Sequence, residues 1–205
     1  HKLASINYRG PDNTGITTIK DVILGHLRLS IIDLDQRSNQ PLKYEHLHIT
    51  FNGEIYNFIE IRNELLSVGY SFQTESDTEV LLIGYVHWGR DLLSKINGMF
   101  AFCIYDSIKN ELFCARDRLG VKPFYYYWNE GNFEICSQIR PLINTQSTIN
   151  SEAINSYLDC GYIPSPLSIL ENVNKLQPGK YLVINLNQKT LNLFCYWDLK
   201  RKPLK

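Results

Sequence analysis

The sequence predicts an α+β fold in which two stacked, mainly antiparallel sheets carry helices on the outside. Periodicity gives many short strands and few helices, and turn signals such as Lys109-Asn110 and Leu119-Gly120 separate consecutive strands. The strand over residues 99–106 is apolar on both faces. Because an antiparallel strand of this kind needs cover on each side, it belongs between another sheet and a layer of helices.

The strands are predicted from alternating or continuous apolar runs bounded by turn residues. Arg28 lies in one such run. Asn52-Gly53 interrupts another, and a glycine inside a strand marks a bulge, a turn or the close approach of a ligand. The predicted strands cover residues 22–33, 47–56, 99–106, 111–116, 123–128 and 133–137, followed by a hairpin over residues 181–196.

The helices are predicted from their start signals. Asn57 and Ser76 are each followed three residues later by a glutamate, which is the capping-box pattern. The predicted helices run from Asn57 to near Gly69, from Ser76 to about Ile96, and over residues 151–160.

The chain is predicted to form one domain over residues 1–199. Residues 161–179 are a proline-punctuated connection within that domain. The basic tail over residues 200–205 is typical of the start of a linker to another domain.

Composition and charge exclude several classes of function. Lys plus Arg and Asp plus Glu each number 21, so no net charge attracts nucleic acid or an anionic membrane. The sequence has no apolar run long enough to span a bilayer, no glycine-rich phosphate loop and no histidine spacing typical of a metal site. Its five cysteines are odd in number and lack a CxxC pair, which indicates reduced thiols and a cytoplasmic location.

Arg28 is the first candidate binding residue. It lies in an apolar run, where a guanidinium needs an anionic partner, and its planar fork fits a carboxylate bidentately. The partner is either a ligand carboxylate or an internal acid such as Asp33, and the pattern leaves both open.

Asn52-Gly53 is the second candidate. An amide donor beside an unhindered backbone N–H is the equipment of an oxyanion hole, usually the largest electrostatic contribution to acyl transfer. The same dipeptide is also the strongest short hairpin signal. Asp77 and Glu54 are candidates for binding an ammonium group. The alternative for Asp77 is an acid that favours the dipole in a helix's first turn, and the alternative for Glu54 is a solvated acid in a loop.

A series of motifs extends over nearly the whole chain. In order they are Arg9-Gly10-Pro11-Asp12, His26-Leu27-Arg28-Leu29-Ser30-Ile31-Ile32-Asp33-Leu34, Gln40-Pro41, Phe51-Asn52-Gly53-Glu54-Ile55-Tyr56-Asn57, Ser76-Asp77-Thr78-Glu79, Gly98-Met99-Phe100-Ala101-Phe102, Ala115-Arg116-Asp117-Arg118-Leu119-Gly120-Val121-Lys122-Pro123 and Lys175-Leu176-Gln177-Pro178-Gly179. Together they resemble the glutaminase domain of glutamine-hydrolysing asparagine synthetases, which are class II (N-terminal-nucleophile, Ntn) glutamine amidotransferases.

The resemblance implies an Ntn-hydrolase-like four-layer αββα sandwich that binds glutamine. The implied substrate-binding residues are Arg28 for the α-carboxylate, Asp77 and Glu54 for the α-ammonium, and Leu29 and Ile31 for the pocket backbone. The implied catalytic pair, which forms the oxyanion hole, is Asn52 and Gly53.

In this family the nucleophile is a cysteine at the mature N-terminus. Its own α-amine, with a pKa of about 7.7–8.0, takes the thiol proton. The thiolate attacks the glutamine side-chain amide, ammonia leaves, and water hydrolyses the thioester to glutamate. Only residues 1–8 precede Arg9, so we expect the segment with this cysteine to be missing from the sequence and the fragment as written to be inactive.

The resemblance also implies a synthetase domain beyond residue 205 that activates aspartate with ATP and Mg²⁺. The glutaminase domain itself is expected to need no cofactor and no metal. Its expected partners are glutamine and the synthetase domain, without nucleic acid or membrane, and a homodimer stays open. Two alternatives remain: a related amidotransferase with another carboxylate acceptor, and a non-catalytic module that has lost its nucleophile.

Overall fold

The computed structural model describes residues 2–129 and 131–199. The strands are β1 Asn13–Ile19, β2 Val22–Arg28, β3 Leu42–Tyr44, β4 Leu47–Ile55, β5 Gly98–Asp106, β6 Glu111–Arg116, β7 Tyr125–Asn129, β8 Asn132–Cys136, β9 Val173–Lys175, β10 Lys180–Asn185 and β11 Thr190–Cys195. The helices are α1 Phe58–Ser67, α2 Asp77–Trp88, α3 Leu92–Lys95 and α4 Ser151–Cys160, with 3-10 turns at Leu3–Arg9, Gln36–Ser38, Gly89–Asp91 and Arg140–Leu142. His1 and residues 200–205, predicted to begin a linker, lie outside the described residues.

A six-stranded antiparallel sheet in the order β11-β10-β6-β5-β4-β3 forms the centre of the domain. Both faces of β5 are buried, as its sequence predicts. One face contributes to a core shared with α1 and α2: Phe100, Phe102 and Ile104. The other face contributes to a second core: Ala101, Cys103 and Tyr105.

Two smaller sheets cover that second core. One is the β1–β2 hairpin, and the other has the order β8-β7-β9. Val22 and Leu24 of β2 and Tyr126 of β7 pack there with Cys114 of β6 and Leu182 of β10. These stacked antiparallel layers, with α1 and α2 outside, confirm the predicted α+β fold. The second layer is split into two sheets.

The predicted start of α2 is confirmed. Ser76 Oγ accepts the backbone N–H of Glu79 at 3.3 Å, and most of the helix is buried. It ends at Trp88 rather than near residue 96, because Gly89 adopts a left-handed φ of 58°. No helix in the described part of the chain is both long and apolar enough to cross a membrane.

The capping box predicted at Asn57 and Glu60 is wrong. The Asn57 side chain makes no capping hydrogen bond. Its Oδ1 accepts the Asn97 N–H at 2.8 Å and its Nδ2 donates to the Lys95 carbonyl at 3.0 Å. Asn57 therefore ties the start of α1 to the segment before β5.

Three strands were not predicted, namely β1, β3 and β9. The strand β1 is largely polar, and its residues alternate between half-buried and exposed. The strands β3 and β9 have three residues each. Such segments carry too little apolar periodicity to be recognised, and their pairing partners in the sheets determine them.

Candidate active site

One edge of β4 has no neighbouring strand along two-thirds of its length. The strand β3 pairs with β4 between Leu47 and Ile49, whereas β5 pairs with it from Leu47 to Ile55. Asn52 and Gly53 lie in the part beyond β3. Because β4 runs unbroken through them, the hairpin interpretation of this dipeptide is wrong, as is the predicted interruption of the strand.

Gly53 is a position at which the backbone of β5 leaves no room for a side chain on β4. A Cβ there would lie 2.1 Å from the Met99 carbonyl oxygen and 2.8 Å from Phe100 Cα, and φ is 156°. Phe100 directs its N–H and C=O to Asp117 on its other side, so the pair Gly53–Phe100 is not hydrogen-bonded. In an antiparallel ladder the Gly53 N–H therefore points away from β5, toward the open edge. It has no hydrogen-bond acceptor among the described residues.

Asn52 presents an unpaired buried donor. Its neighbour Phe51 packs in the core with α1 and α2, so the Asn52 side chain leaves the opposite face of β4. Its amide nitrogen is buried and has no hydrogen-bond partner within the described part of the chain. Leaving such a donor unpaired costs about 1–3 kcal/mol, which indicates a group that a ligand satisfies.

Asp77 and Glu54 form the acidic side of this region. Asp77 is the first residue of α2, it is buried, and its Oδ2 accepts the Ile55 N–H at 3.0 Å. The pKa of Asp77 is raised to about 6, mainly by desolvation and also by the charge of Glu54, against hydrogen bonds from Ile55 and Thr78 that lower it. No Lys or Arg among the described residues pairs with Asp77. This buried carboxylate therefore lacks the cation that an amino group would supply.

Arg28 lies at the end of β2 with its side chain buried. Its Nη1 donates to the Asp35 carbonyl at 2.9 Å and to Asn39 Oδ1 at 2.7 Å. Its Nη2 donates to the carbonyls of Ile32 and Asp33. The internal ion pair with the Asp33 carboxylate is therefore not formed.

These contacts also constrain the predicted binding of a ligand carboxylate. Both terminal nitrogens of Arg28 already have neutral acceptors, so a bidentate contact requires the carbonyls of residues 32–35 to move. Leu29 and Ile31 lie on the same loop with exposed side chains. Their roles and that of Arg28 stay predictions.

Two side chains at the open edge were missed as site residues. Gln40 Oε1 accepts the Phe51 N–H at 2.6 Å, and His26 Nε2 donates to the Phe51 carbonyl at 3.2 Å. The signal for His26 was its spacing, because residues two apart on a strand share a face and His26 precedes Arg28 by two. Nothing in the local pattern around Gln40 points to a strand eleven residues away.

The cysteines offer no activated thiol in this region. Cys103 and Cys114 are buried between the sheets, and burial raises the pKa of Cys114 well above its ordinary value. Cys160 and Cys195 are exposed on α4 and β11. Over residues 2–129 and 131–199, no group of three or more His, Cys, Asp or Glu side chains is arranged to hold a metal ion.

Comparison with known proteins identifies the family of the chain. The glutamine amidotransferase domain family matches residues 1–197. The chain belongs to this family. Asparagine synthetase 1 (glutamine-hydrolysing) of Bacillus subtilis is 42% identical over 183 residues, which cover 87% of the chain and 29% of that protein. Amidase chyE of Penicillium rubens is 32% identical, over 98% of the chain and 30% of its own length.

The same fold is found in a glutamine amidotransferase of known structure. The glutamine phosphoribosylpyrophosphate amidotransferase from B. subtilis aligns over 96% of the chain and 45% of its own, with a TM-score of 0.68 at 19% identity. The predicted fold class is thus confirmed. The amidotransferase domain described here spans less than half the length of the curated relatives it matches.

Proposed function

We propose that this domain hydrolyses the side-chain amide of glutamine and that Asn52 and Gly53 bind the resulting oxyanion. The observation that carries the proposal is the buried amide nitrogen of Asn52, which has no hydrogen-bond partner among the described residues. Next to it in sequence, the Gly53 N–H points out from the open edge of β4. Two preorganised donors aimed at one point stabilise developing negative charge strongly.

The same region fits the two ends of an amino acid. A substrate ammonium beside Asp77 compensates a carboxylate whose burial raises its pKa to about 6. Glu54 adds a second negative charge close to it. Arg28 is proposed for the α-carboxylate, with the backbone of Leu29 and Ile31 completing the pocket.

The proposed chemistry follows that of N-terminal-nucleophile amidotransferases. The thiolate of an N-terminal cysteine attacks the amide carbon, and its α-amine passes the thiol proton to the departing nitrogen. Ammonia leaves, a thioester remains, and water cleaves it to glutamate and the thiol. Asn52 and Gly53 act at both tetrahedral stages.

The proposed acceptor of the ammonia is aspartate, activated with ATP and Mg²⁺ by a synthetase domain of the same protein. The Bacillus relative, named an asparagine synthetase, supports this assignment. A second candidate has another carboxylate as the acceptor, and the Penicillium relative, named an amidase rather than an asparagine synthetase, keeps this candidate open. Incubating the full-length gene product with glutamine, ATP and aspartate separates the two, because only the first predicts asparagine.

The oxyanion assignment is tested by Asn52→Ala in the full-length gene product. We expect the glutaminase kcat to fall by about 10²–10³, the usual loss for one oxyanion donor. The midpoint of urea unfolding should not fall, because the amide nitrogen has no internal hydrogen bond to lose. Asn63→Ala, at an exposed position of α1, is the matched control. A wild-type kcat in Asn52→Ala would refute the role, and a wild type that releases no glutamate would favour the non-catalytic module.

A further inference from the structure

The backbone groups of Phe51 are held by side chains rather than by a strand. Phe51, Gly53 and Ile55 share the same orientation in β4, so all three direct their N–H groups to the open edge. Gln40 accepts the Phe51 N–H at 2.6 Å, and Asp77 accepts the Ile55 N–H at 3.0 Å. Gly53 therefore lies between two fixed points of the strand.

Gln40 is itself oriented by a second contact. It is buried, and its Nε2 donates to Thr78 Oγ1 at 3.2 Å, in the first turn of α2. With the amide nitrogen engaged there, the amide oxygen faces Phe51. Gln40 thus joins the strand β4 to the start of the helix that carries Asp77.

His26 fixes the other backbone group of Phe51. Its Nε2 donates to the Phe51 carbonyl at 3.2 Å, and this bond links β2 to β4. The pKa of His26 is lowered to about 4, mainly by burial and also by the charge of Arg28, against the hydrogen bond to Phe51 that raises it, so the ring is neutral at pH 7. A neutral ring that donates from Nε2 is an acceptor at Nδ1, which is buried without a partner among the described residues.

We propose that His26 and Gln40 are positioning residues that hold the backbone N–H and carbonyl of Phe51 and thereby fix the Asn52 and Gly53 donors in the oxyanion hole. The inference rests on the proposed glutaminase activity. Neither residue contacts the reacting atoms, and both act through the backbone of Phe51, the residue that precedes Asn52. Preorganised donors stabilise a transition state only while their geometry is fixed, and a misplacement of about 1 Å costs on the order of 10²-fold in rate.

The test uses paired variants of the full-length gene product. Gln40→Met removes the acceptor for Phe51, and Gln40→Glu restores an acceptor at the same reach. Similarly, His26→Leu removes the donor, and His26→Gln restores one near the Nε2 position. We expect the two removal variants to lose about tenfold to 10²-fold in glutaminase kcat, with the KM for glutamine within about threefold of wild type. The two restoring variants should recover most of the loss.

The control is His48→Leu, which removes a buried imidazole from β4, the strand that carries Asn52 and Gly53. It should leave kcat unchanged. If the removal variants have the urea midpoint and the kcat of wild type, the positioning role is refuted, while the proposed glutaminase function stands. If a removal variant fails to fold, a restoring variant that folds and still has the same low kcat would also overturn it. A wild type without glutaminase activity would refute the proposed function, and this inference with it.

Discussion

Asp77→Asn should stabilise the ligand-free domain while it removes glutamine binding. The pKa of Asp77 rises from its ordinary 3.8 to about 6 because the carboxylate is buried. A carboxyl group with a raised folded pKa stabilises the fold below the unfolded pKa of 3.8, and this contribution is lost as the pH rises through 6. At 1.36 kcal/mol per pH unit, the loss reaches about 3 kcal/mol above pH 7 and about 1.5 kcal/mol at pH 5.

Asparagine at this position has no charge to desolvate, and its Oδ1 can still accept the Ile55 N–H. We therefore expect the free energy of unfolding of Asp77→Asn to exceed that of wild type by up to about 3 kcal/mol at pH 8, with little difference at pH 4. Urea unfolding of both proteins across this range measures the difference. Isothermal titration with glutamine at pH 8 should show binding to wild type and none to the variant.

Asp33→Asn is the matched control with the opposite sign. Hydrogen bonds from Ser38 and from the backbone of Glu75 hold the pKa of Asp33 below its ordinary value, against desolvation. Its ionised form stabilises the fold above the unfolded pKa, so this variant should lose stability at pH 8. If Asp77→Asn shows no pH-dependent gain over wild type, the assignment of an uncompensated buried carboxylate is wrong.

Two further predictions concern backbone packing and thiols. Gly53→Ala should lower the free energy of unfolding by about 2–4 kcal/mol, because its Cβ would lie 2.1 Å from the Met99 carbonyl; a urea midpoint within error of wild type would contradict the tight approach. Cys103 and Cys114 should not react with an aromatic disulfide reagent until the domain unfolds, since both are buried and burial raises the pKa of Cys114; release of either thiol from the native protein at the rate of an exposed cysteine would contradict this.

The sequence predicted the central sheet well because β5 and its neighbours are defined by their own residues. A strand that is apolar on both faces has one stable place in a layered domain, and β5 occupies it between two cores. The short strands β3 and β9 have no such signature. The helix start at Ser76 was equally local, since cap and acceptor lie three residues apart.

Features that depend on distant partners were predicted less well. Asn52-Gly53 has the composition of a hairpin turn, and the residues that keep β4 straight are those of β5, more than 40 positions later. Likewise, the side chain of Asn57 prefers the backbone of Lys95 and Asn97 to its own helix. The candidate site residues were predicted from the chemistry of their side chains. Side-chain chemistry does not show which backbone N–H groups point to the same sheet edge, and the structure does.

An incomplete sheet edge explains why these residues act together. Unpaired strand edges are usually a liability, because their N–H and C=O groups attract other chains. Along β4, however, side chains from other elements already satisfy Phe51 and Ile55. Between them, the Gly53 N–H is left without an acceptor among the described residues, at a position where the close approach of β5 leaves no room for a side chain. The edge thus presents one backbone donor at a fixed place beside the Asn52 amide, and this arrangement suits a transient anion better than a permanent partner.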